Sequence, residues 1–289
     1  MAAALAAAAL AAVALGAAAP RLADVWRGRA PLDPVAFRIG PLAVRWYGLL
    51  ITLAFGPAWA VAAPERARVG LSADDLVDLL LLGIPLGLVG ARLGFVAQNL
   101  AYFAAHPVEV VGTGMSGLSI HGALAGAALA IGLYGRRGAV RPAAVADVAA
   151  PSLLVAQAIG RWGNFFNREL VGYPTDRPWG LYVPEGLRPP GYEGAAFFHP
   201  AFLYESVLDA LGAAALLAYR RRADRQPGEL AALYLVLYSA IRFGVEWVRI
   251  GRPAALGLTL AQWVSAALAA AGAAWWAALR RRARRPVVQ

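Results

Sequence analysis

The thirteen residues from Gly160 to Gly172 read GRWGNFFNRELVG and hold two arginines, two asparagines and a glutamate. They follow directly on an apolar run, Pro142–Ile159, that has the character of a membrane span. Polar groups at membrane depth are expensive and are retained where they do something. A guanidinium offers a planar fork of donors that suits a phosphate, and asparagine side chains suit hydroxyls. The chemistry expected of this stretch is the grip of an anionic, hydroxyl-bearing headgroup.

The rest of the chain must hold these groups in place. Of 289 residues, 60% are hydrophobic and 15% charged, and the mean hydropathy is +0.56. That excludes an ordinary soluble domain and points to an all-α, polytopic membrane helix bundle. Apolar runs suggest about seven transmembrane helices: Trp46–Ala63, Leu76–Asn99, Ser119–Tyr134, Pro142–Ile159, Pro200–Tyr219, Leu230–Trp247 and Leu256–Leu279. Small residues three to four apart in Gly83–Gly94 and Gly122–Gly132 favour close helix contact. The net charge is +10 and every basic residue is arginine. Arginines cluster after spans one (Arg66, Arg68), three (Arg136, Arg137, Arg141), five (Arg220, Arg221, Arg222, Arg225) and seven (Arg280, Arg281, Arg282, Arg284, Arg285). Those are alternate loops, so the positive-inside rule makes them cytoplasmic. The charge is therefore read as topology and not as a nucleic-acid signal. The long segment Arg161–His199, rich in Gly, Pro and aromatics, is expected to form an extracytoplasmic cap. A basic tail, 280–289, ends the chain. Residues 1–30 read as an apolar extension, in which 1–19 fit a cleaved signal, an eighth span or a misassigned start.

Five places break the apolar pattern. Tyr47 opens the first span, Arg92 lies in the second, and His121 opens the third. The Gly160–Gly172 stretch follows the fourth. In the sixth, Tyr238, Arg242 and Glu246 are four residues apart and share one helix face. Each has a purely structural reading. Arg242 and Glu246 could be a buried ion pair, Arg161 could snorkel, Arg92 could tie helices together, His121 could be a bonded core histidine, and Asn164 and Asn167 could cap a helix or turn. Under the inferred topology, however, Tyr47, His121, Arg161, Asn164, Glu169, Tyr238 and Glu246 all fall near the outer face. Independent structural residues need not share one depth; a headgroup site requires it. Histidine titrates near neutrality and can take a proton there. There is no cysteine, so disulfides, zinc–cysteine sites and a cysteine nucleophile in this chain are excluded. No P-loop or metal-ligand spacing appears.

At these residues the chain resembles the prolipoprotein diacylglyceryl transferases of bacterial membranes. The family pattern Gly-Arg-x-Gly-Asn-Phe-x-Asn-x-Glu-x-x-Gly stands complete as Gly160, Arg161, Gly163, Asn164, Phe165, Asn167, Glu169 and Gly172. DPVAFRIGPLAVRWYG (Asp33–Gly48), GARLGFV with Arg92, SIHGALAG with His121, HPAFLYE (His199–Glu205) and YSAIRFGVEWVR follow the family in order. Ala123 departs from it, standing where a second glycine is common after His-Gly. The resemblance implies transfer of a diacylglyceryl group from phosphatidylglycerol to the lipobox cysteine of a prolipoprotein signal peptide. A thioether forms and glycerol phosphate leaves. It implies no cofactor and no metal, membrane lipids and signal peptides as partners, no nucleic acid, and the bacterial cytoplasmic membrane as location. By this resemblance Arg161 and Arg242 hold the phosphate and His121 is the best candidate for general base, with Tyr238 or Tyr47 as alternatives. Asn164, Asn167, Glu169, Tyr47 and Arg92 contribute to binding, and Glu246 positions Arg242. The main rival is a transporter of an anionic lipid or solute, which should show inverted repeats and broken helices; neither is visible.

Overall fold

A computed structural model describes residues 21–111, 119–136, 141–251 and 253–283. A short helix at 21–26 (α1) precedes the hairpin β1 (Val35–Ile39) and β2 (Leu42–Arg45). Then come α2 (Trp46–Arg68), α3 (Ala73–Gln98), the short α4 (Leu100–Ala105), α5 (Ile120–Gly135) and α6 (Pro142–Asn167). Strands β3 (Leu181–Tyr182) and β4 (Phe197–Phe198) lie in the segment before α7 (Ala201–Arg220). Helix α8 (Glu229–Glu246), the hairpin β5 (Pro253–Ala255) and β6 (Leu258–Thr259), and α9 (Leu260–Ala283) complete the order.

The seven expected spans correspond to α2, α3, α5, α6, α7, α8 and α9. Four of them, α2, α3, α6 and α7, are long and apolar enough to cross a membrane. Helices α2 and α3 turn large side chains such as Leu53, Leu81, Val89 and Leu93 outward. That outer surface suits hydrocarbon, and the helices satisfy their own backbone, as a span must. This is an all-α membrane bundle. Helix α3 begins where its sequence says it should: Ser72 accepts from the Asp75 amide at 3.1 Å, and Asp75 accepts from the Ser72 amide at 2.6 Å, a reciprocal capping box.

Helix α2 runs on to Arg68 and α3 begins at Ala73, and three further boundaries differ from expectation. Helix α6 does not stop at Ile159 but runs on to Asn167, so the first half of the polar motif is helical. Glycines and polar residues there look like a loop in sequence. They stay helical because Phe165 is enclosed with Val25, Val171, Leu181, Val183, Phe198 and Phe202 in one apolar core. The same core reclaims part of the N-terminal segment. Val25 is buried in it, Trp26 stacks on Phe165 with ring centroids 5.7 Å apart, and Trp26 Nε1 donates to the Trp179 carbonyl at 3.1 Å. Residues 21–30 are thus built into the fold, while 1–20 lie outside the described residues. The last span begins at Leu260, because residues 253–259 form a hairpin.

The chain divides into two compact units, Met1–Pro57 with Leu153–Ala215 and Leu235–Ala271, and Ala58–Ser152 with Leu216–Tyr234 and Gly272–Gln289. In the first, β3 pairs with β4 (Leu181 opposite Phe198), and Gly172 bridges to Arg249. In the second, α3 and α5 cross at the small residues seen in sequence. A side chain on Gly90 would overlap the carbonyl of Gly122, and one on Gly122 would overlap that of Gly90. Near the same crossing, the Ser119 amide donates to the Ala91 carbonyl at 2.9 Å.

Two glycines of α5 separate packing from propensity. Gly132 has open space where a Cβ would go; Gly122 has none. Gly122→Ala is expected to destabilise the protein by about 1–3 kcal/mol through overpacking. Gly132→Ala is expected to stabilise it by up to about 1 kcal/mol through helix propensity. Thermal melts of the two variants in detergent check the opposite signs.

Candidate functional site

The last two turns of α6 carry Arg161, Asn164 and Asn167, three apart and so close to one helix face. Gly163 lies between them because the ring of Tyr47, from the first turn of α2, packs against it; a Cβ there would overlap that ring. Gly172 closes the motif for a similar reason. Its amide donates to the His199 carbonyl at 2.8 Å, and a Cβ would strike the Val248 carbonyl. Two of the motif's glycines are thus places where another chain segment touches backbone.

Arg161 opens a chain of alternating charges. Its Nη2 donates to Glu205 Oε1 at 2.6 Å, and Glu205 is 1% exposed. The other Glu205 oxygen lies 3.8 Å from Arg249 Nη1, and Arg249 Nε lies 3.7 Å from Glu246 Oε2. Glu246 Oε2 accepts from Arg242 Nη1 at 2.5 Å, and Glu246 Oε1 accepts from the Thr259 hydroxyl at 3.0 Å. Tyr238, one turn before Arg242, sits in electrostatic range of Glu205, Arg161 and Arg242, and Tyr47 in range of Glu169 and Arg161. Arg249, beyond the end of α8, is lowered from the usual guanidinium value by burial and then by Arg242, against the pull of Glu205 and Glu246. Three guanidiniums face Glu205 and Glu246 here, and the buried Asp209 carboxyl stands in electrostatic range of Arg161 as a third acid. Arg161 also keeps a buried Nε–H that has no acceptor.

A second group adjoins the first along α6. Asn164 Nδ2 and Asn167 Nδ2 both donate to Glu169 Oε1, at 3.0 and 3.1 Å. Glu169 is exposed, and it is flanked by two left-handed residues, Arg168 (φ 53°) and Leu170 (φ 55°). Non-glycine residues in that region are strained, and such strain gathers at functional sites. The buried Arg168 side chain holds the turn. Nη2 donates to the Val25 carbonyl at 2.9 Å and Nη1 to the Tyr182 carbonyl at 3.1 Å, with the guanidinium 5.0 Å from the Phe165 ring centroid. Burial lowers Arg168 to about 10, so it is still protonated at neutral pH. Asn167 and Glu169 line a cavity of about 670 Å³ together with Arg29, Arg45 and Arg168. Its size is that of a small-molecule site.

Of the residues singled out in sequence, Tyr47, Arg161, Asn164, Asn167, Glu169, Tyr238, Arg242 and Glu246 belong to the first unit and occupy these two groups. Arg92 and His121 belong to the second unit. Arg92 Nε donates to the Val110 carbonyl at 2.9 Å, Nη2 donates to the Glu109 carbonyl, and the guanidinium lies 5.2 Å from the Phe103 ring centroid. His121 starts α5, but its side chain lies outside what is described. Sequence reasoning passed over Glu205, Arg249 and Asp209. Glu205 and Arg249 end the quoted motifs HPAFLYE and YSAIRFGVEWVR, and spacing i+3 from Glu246 marks Arg249. Asp209 is 0% exposed with no hydrogen bond to either carboxyl oxygen. Its only advance signal is one acid within an apolar run, four residues after Glu205. Among the described residues no cluster has metal-ligand character.

The two carboxyls of α7 should respond unequally to neutralisation. Glu205→Gln strips a shared partner from two arginines and is expected to cost about 3 kcal/mol. Asp209→Asn replaces a buried carboxyl that no donor supports and is expected to shift stability by less than about 1 kcal/mol. Thermal unfolding in detergent reads both.

The family model described as "Prolipoprotein diacylglyceryl transferase" matches residues 34–278. The chain is 39% identical over 257 residues to a phosphatidylglycerol–prolipoprotein diacylglyceryl transferase of Fervidobacterium nodosum, covering 89% of this chain and 88% of that one. It is 39% identical over 249 residues to the protein of that name from Thermotoga maritima (86% and 85% covered). Against one from Streptococcus agalactiae it is 36% identical over 242 residues (83% and 93% covered). The match takes in both polar groups and every helix from α2 to α8, and the chain belongs to the prolipoprotein diacylglyceryl transferase family.

Proposed function

We propose that this protein transfers the diacylglyceryl group of phosphatidylglycerol to the lipobox cysteine thiol of a prolipoprotein signal peptide. The observation that carries the reading is the state of Arg161. It is fixed by a buried glutamate and heads a chain of three guanidiniums, Arg161, Arg249 and Arg242, joined through Glu205 and Glu246. That is a preorganised receptor for a phosphate. The names of the relatives supply the donor and acceptor classes.

In this reading a carbon–sulfur bond forms as the carbon–oxygen bond to the phosphate breaks. Glycerol phosphate leaves with the bonding pair, and the thiol proton goes to a base. The thiolate is the reactive form, and a free thiol titrates near 8.5, so a base speeds the reaction near neutral pH. Arg161 and Arg242 bind the phosphate and stabilise it as it leaves. Glu205 and Glu246 hold those cations in position. Asn164, Asn167, Glu169 and Tyr47 orient the glycerol of the headgroup, and Arg92 assists binding from α3. His121 is the favoured base, with Tyr238 or Tyr47 in reserve. The phosphate ester is already a competent leaving group, so the step calls for neither nucleotide nor metal. The four arginine clusters favour a cytoplasmic C-terminus and a cap outside the bacterial cytoplasmic membrane.

The test uses purified protein in detergent with labelled phosphatidylglycerol and a lipobox peptide. Thioether formation and glycerol phosphate release are expected without any sealed compartment, which a transporter would need. Arg161→Ala is expected to lower kcat by about 10² or more while the protein still inserts in the membrane. Full activity in that variant ends the role given to Arg161. His121→Asn is expected to lose the rise in rate across about pH 6 to 8 that a neutral imidazole supplies. A wild-type profile in that variant moves the base assignment to a tyrosine.

A further inference from the structure

The second unit contains a cavity of about 310 Å³ that shares no residue with the Arg161 chain. Three arginines line it: Arg68 at the end of α2, Arg141 just before α6, and Arg225 between α7 and α8. Arg225 is the fixed element. It is 7% exposed; Nη1 donates to Asp147 Oδ2 at 2.8 Å and Nη2 pairs with the buried Glu65. Asp147, which also lines the cavity, is saturated. Its Oδ2 accepts from the Gly228 amide at 2.8 Å and its Oδ1 from the Ala231 amide at 2.9 Å, so it caps the start of α8. With those partners in place, Arg225 still has a buried Nε–H and no acceptor.

The other two arginines carry the excess charge. Arg68 Nη1 is tethered to the carbonyls of Arg220 and Arg222 at 3.3 and 3.4 Å, neutral acceptors that leave its charge unbalanced. Arg141 is exposed and has no ion pair among the described residues. Nearby cations are settled differently: Arg222 and Arg280 share Asp224 at 3.1 and 3.0 Å and hold it down to about 2. The N-terminal end of α6 borders the same cavity and adds partial positive charge. Three guanidiniums against Glu65 and Asp147 leave one net positive charge and room for a small group.

We propose that the cavity between Arg68, Arg141 and Arg225 binds a phosphate group, from a phospholipid headgroup or a soluble phosphate ester, at a site distinct in its residues from the transferase site. Arg68 and Arg141 supply charge and donors, and Arg225, clamped by Glu65 and Asp147, lines the cavity beside them.

The test uses the full chain in detergent carrying Arg161→Ala, so that phosphate at the transferase site does not mask the result. Bound phosphatidylglycerol and dioleoylglycerol, which lacks a phosphate, are counted by native mass spectrometry. Inorganic phosphate is followed by equilibrium dialysis. Phosphatidylglycerol binding above dioleoylglycerol, weakened about tenfold or more by Arg68→Gln with Arg141→Gln, supports the site and assigns a lipid source. Inorganic phosphate bound with the same arginine dependence, without preference between the lipids, supports it and assigns a soluble source. Arg141→Gln alone removes no side-chain hydrogen bond among the described residues and is expected to give part of the loss with an unchanged melt. If neither probe binds, or binding is the same with and without the two arginines, the proposal is overturned. With Arg161 intact, the Arg68→Gln, Arg141→Gln protein is expected to transfer at the wild-type rate in detergent, so this test and that of the transferase reading fail independently.

Discussion

A guanidinium inside an apolar helix pack is held there only by its partners, and in the first unit those partners are two carboxylates. Glu205 stands at the start of α7 and meets Arg161 from α6 on one oxygen and Arg249 from beyond α8 on the other. Glu246, at the end of α8, then joins Arg249, Arg242 and the hydroxyl of Thr259. Removing either glutamate would leave charges in a low-dielectric place with nothing to balance them. The same two side chains therefore fix where α6, α7, α8 and the β5–β6 hairpin stand relative to one another. Backbone pairing of Gly172 with Arg249 extends that registration into the segment between α6 and α7.

The arrangement also decides what the cations can do. Donors that must be reoriented for each ligand spend binding energy on the reorientation, whereas donors already fixed do not. Arg161 is fixed through one terminal nitrogen and keeps its Nε–H unmet. The strained turn around Glu169 serves the same end in the second group. Two left-handed residues flank the one side chain that both asparagines hold, and Arg168 keeps the turn closed by two backbone carbonyls and the Phe165 ring. Asp209 is the exception, a third carboxyl, buried, without a donor. Glu205, one turn before it, instead meets two arginines.

Much of this was open to a reader of the sequence. Hydropathy located seven helices because lipid-facing helices must be apolar over their length, and small-residue spacing located the α3–α5 crossing because only glycine allows backbones so close. The Tyr238–Arg242–Glu246 face follows from helical period alone. Other features were hidden for physical reasons. The continuation of α6 to Asn167 depends on Phe165 being covered by residues 16 to 140 positions away in the chain, such as Val25, Leu181 and Phe198, and local polarity argued against it. Strands of two to five residues are too short for a period to register. Glu205 and Arg249 were in view as letters of motifs, but pairing across three helices is not a property of spacing.

Unmet Nε–H groups recur on Arg66, Arg161, Arg168 and Arg225, so that feature alone does not mark a site. Surroundings separate them. Arg168 has its terminal nitrogens on neutral carbonyls and its face on an aromatic ring, within a packed turn. Arg66 bonds the Leu71 carbonyl just past its own helix. Arg161 and Arg225 are instead clamped by buried carboxylates and stand beside further cations, Arg249 and Arg242 in one case, Arg68 and Arg141 in the other. A carboxylate clamp neutralises one guanidinium and orients it, and the cations left over then set a positive field at the donor that remains. That combination of a fixed guanidinium with neighbouring cations is what a phosphate needs and what a lone structural ion pair lacks.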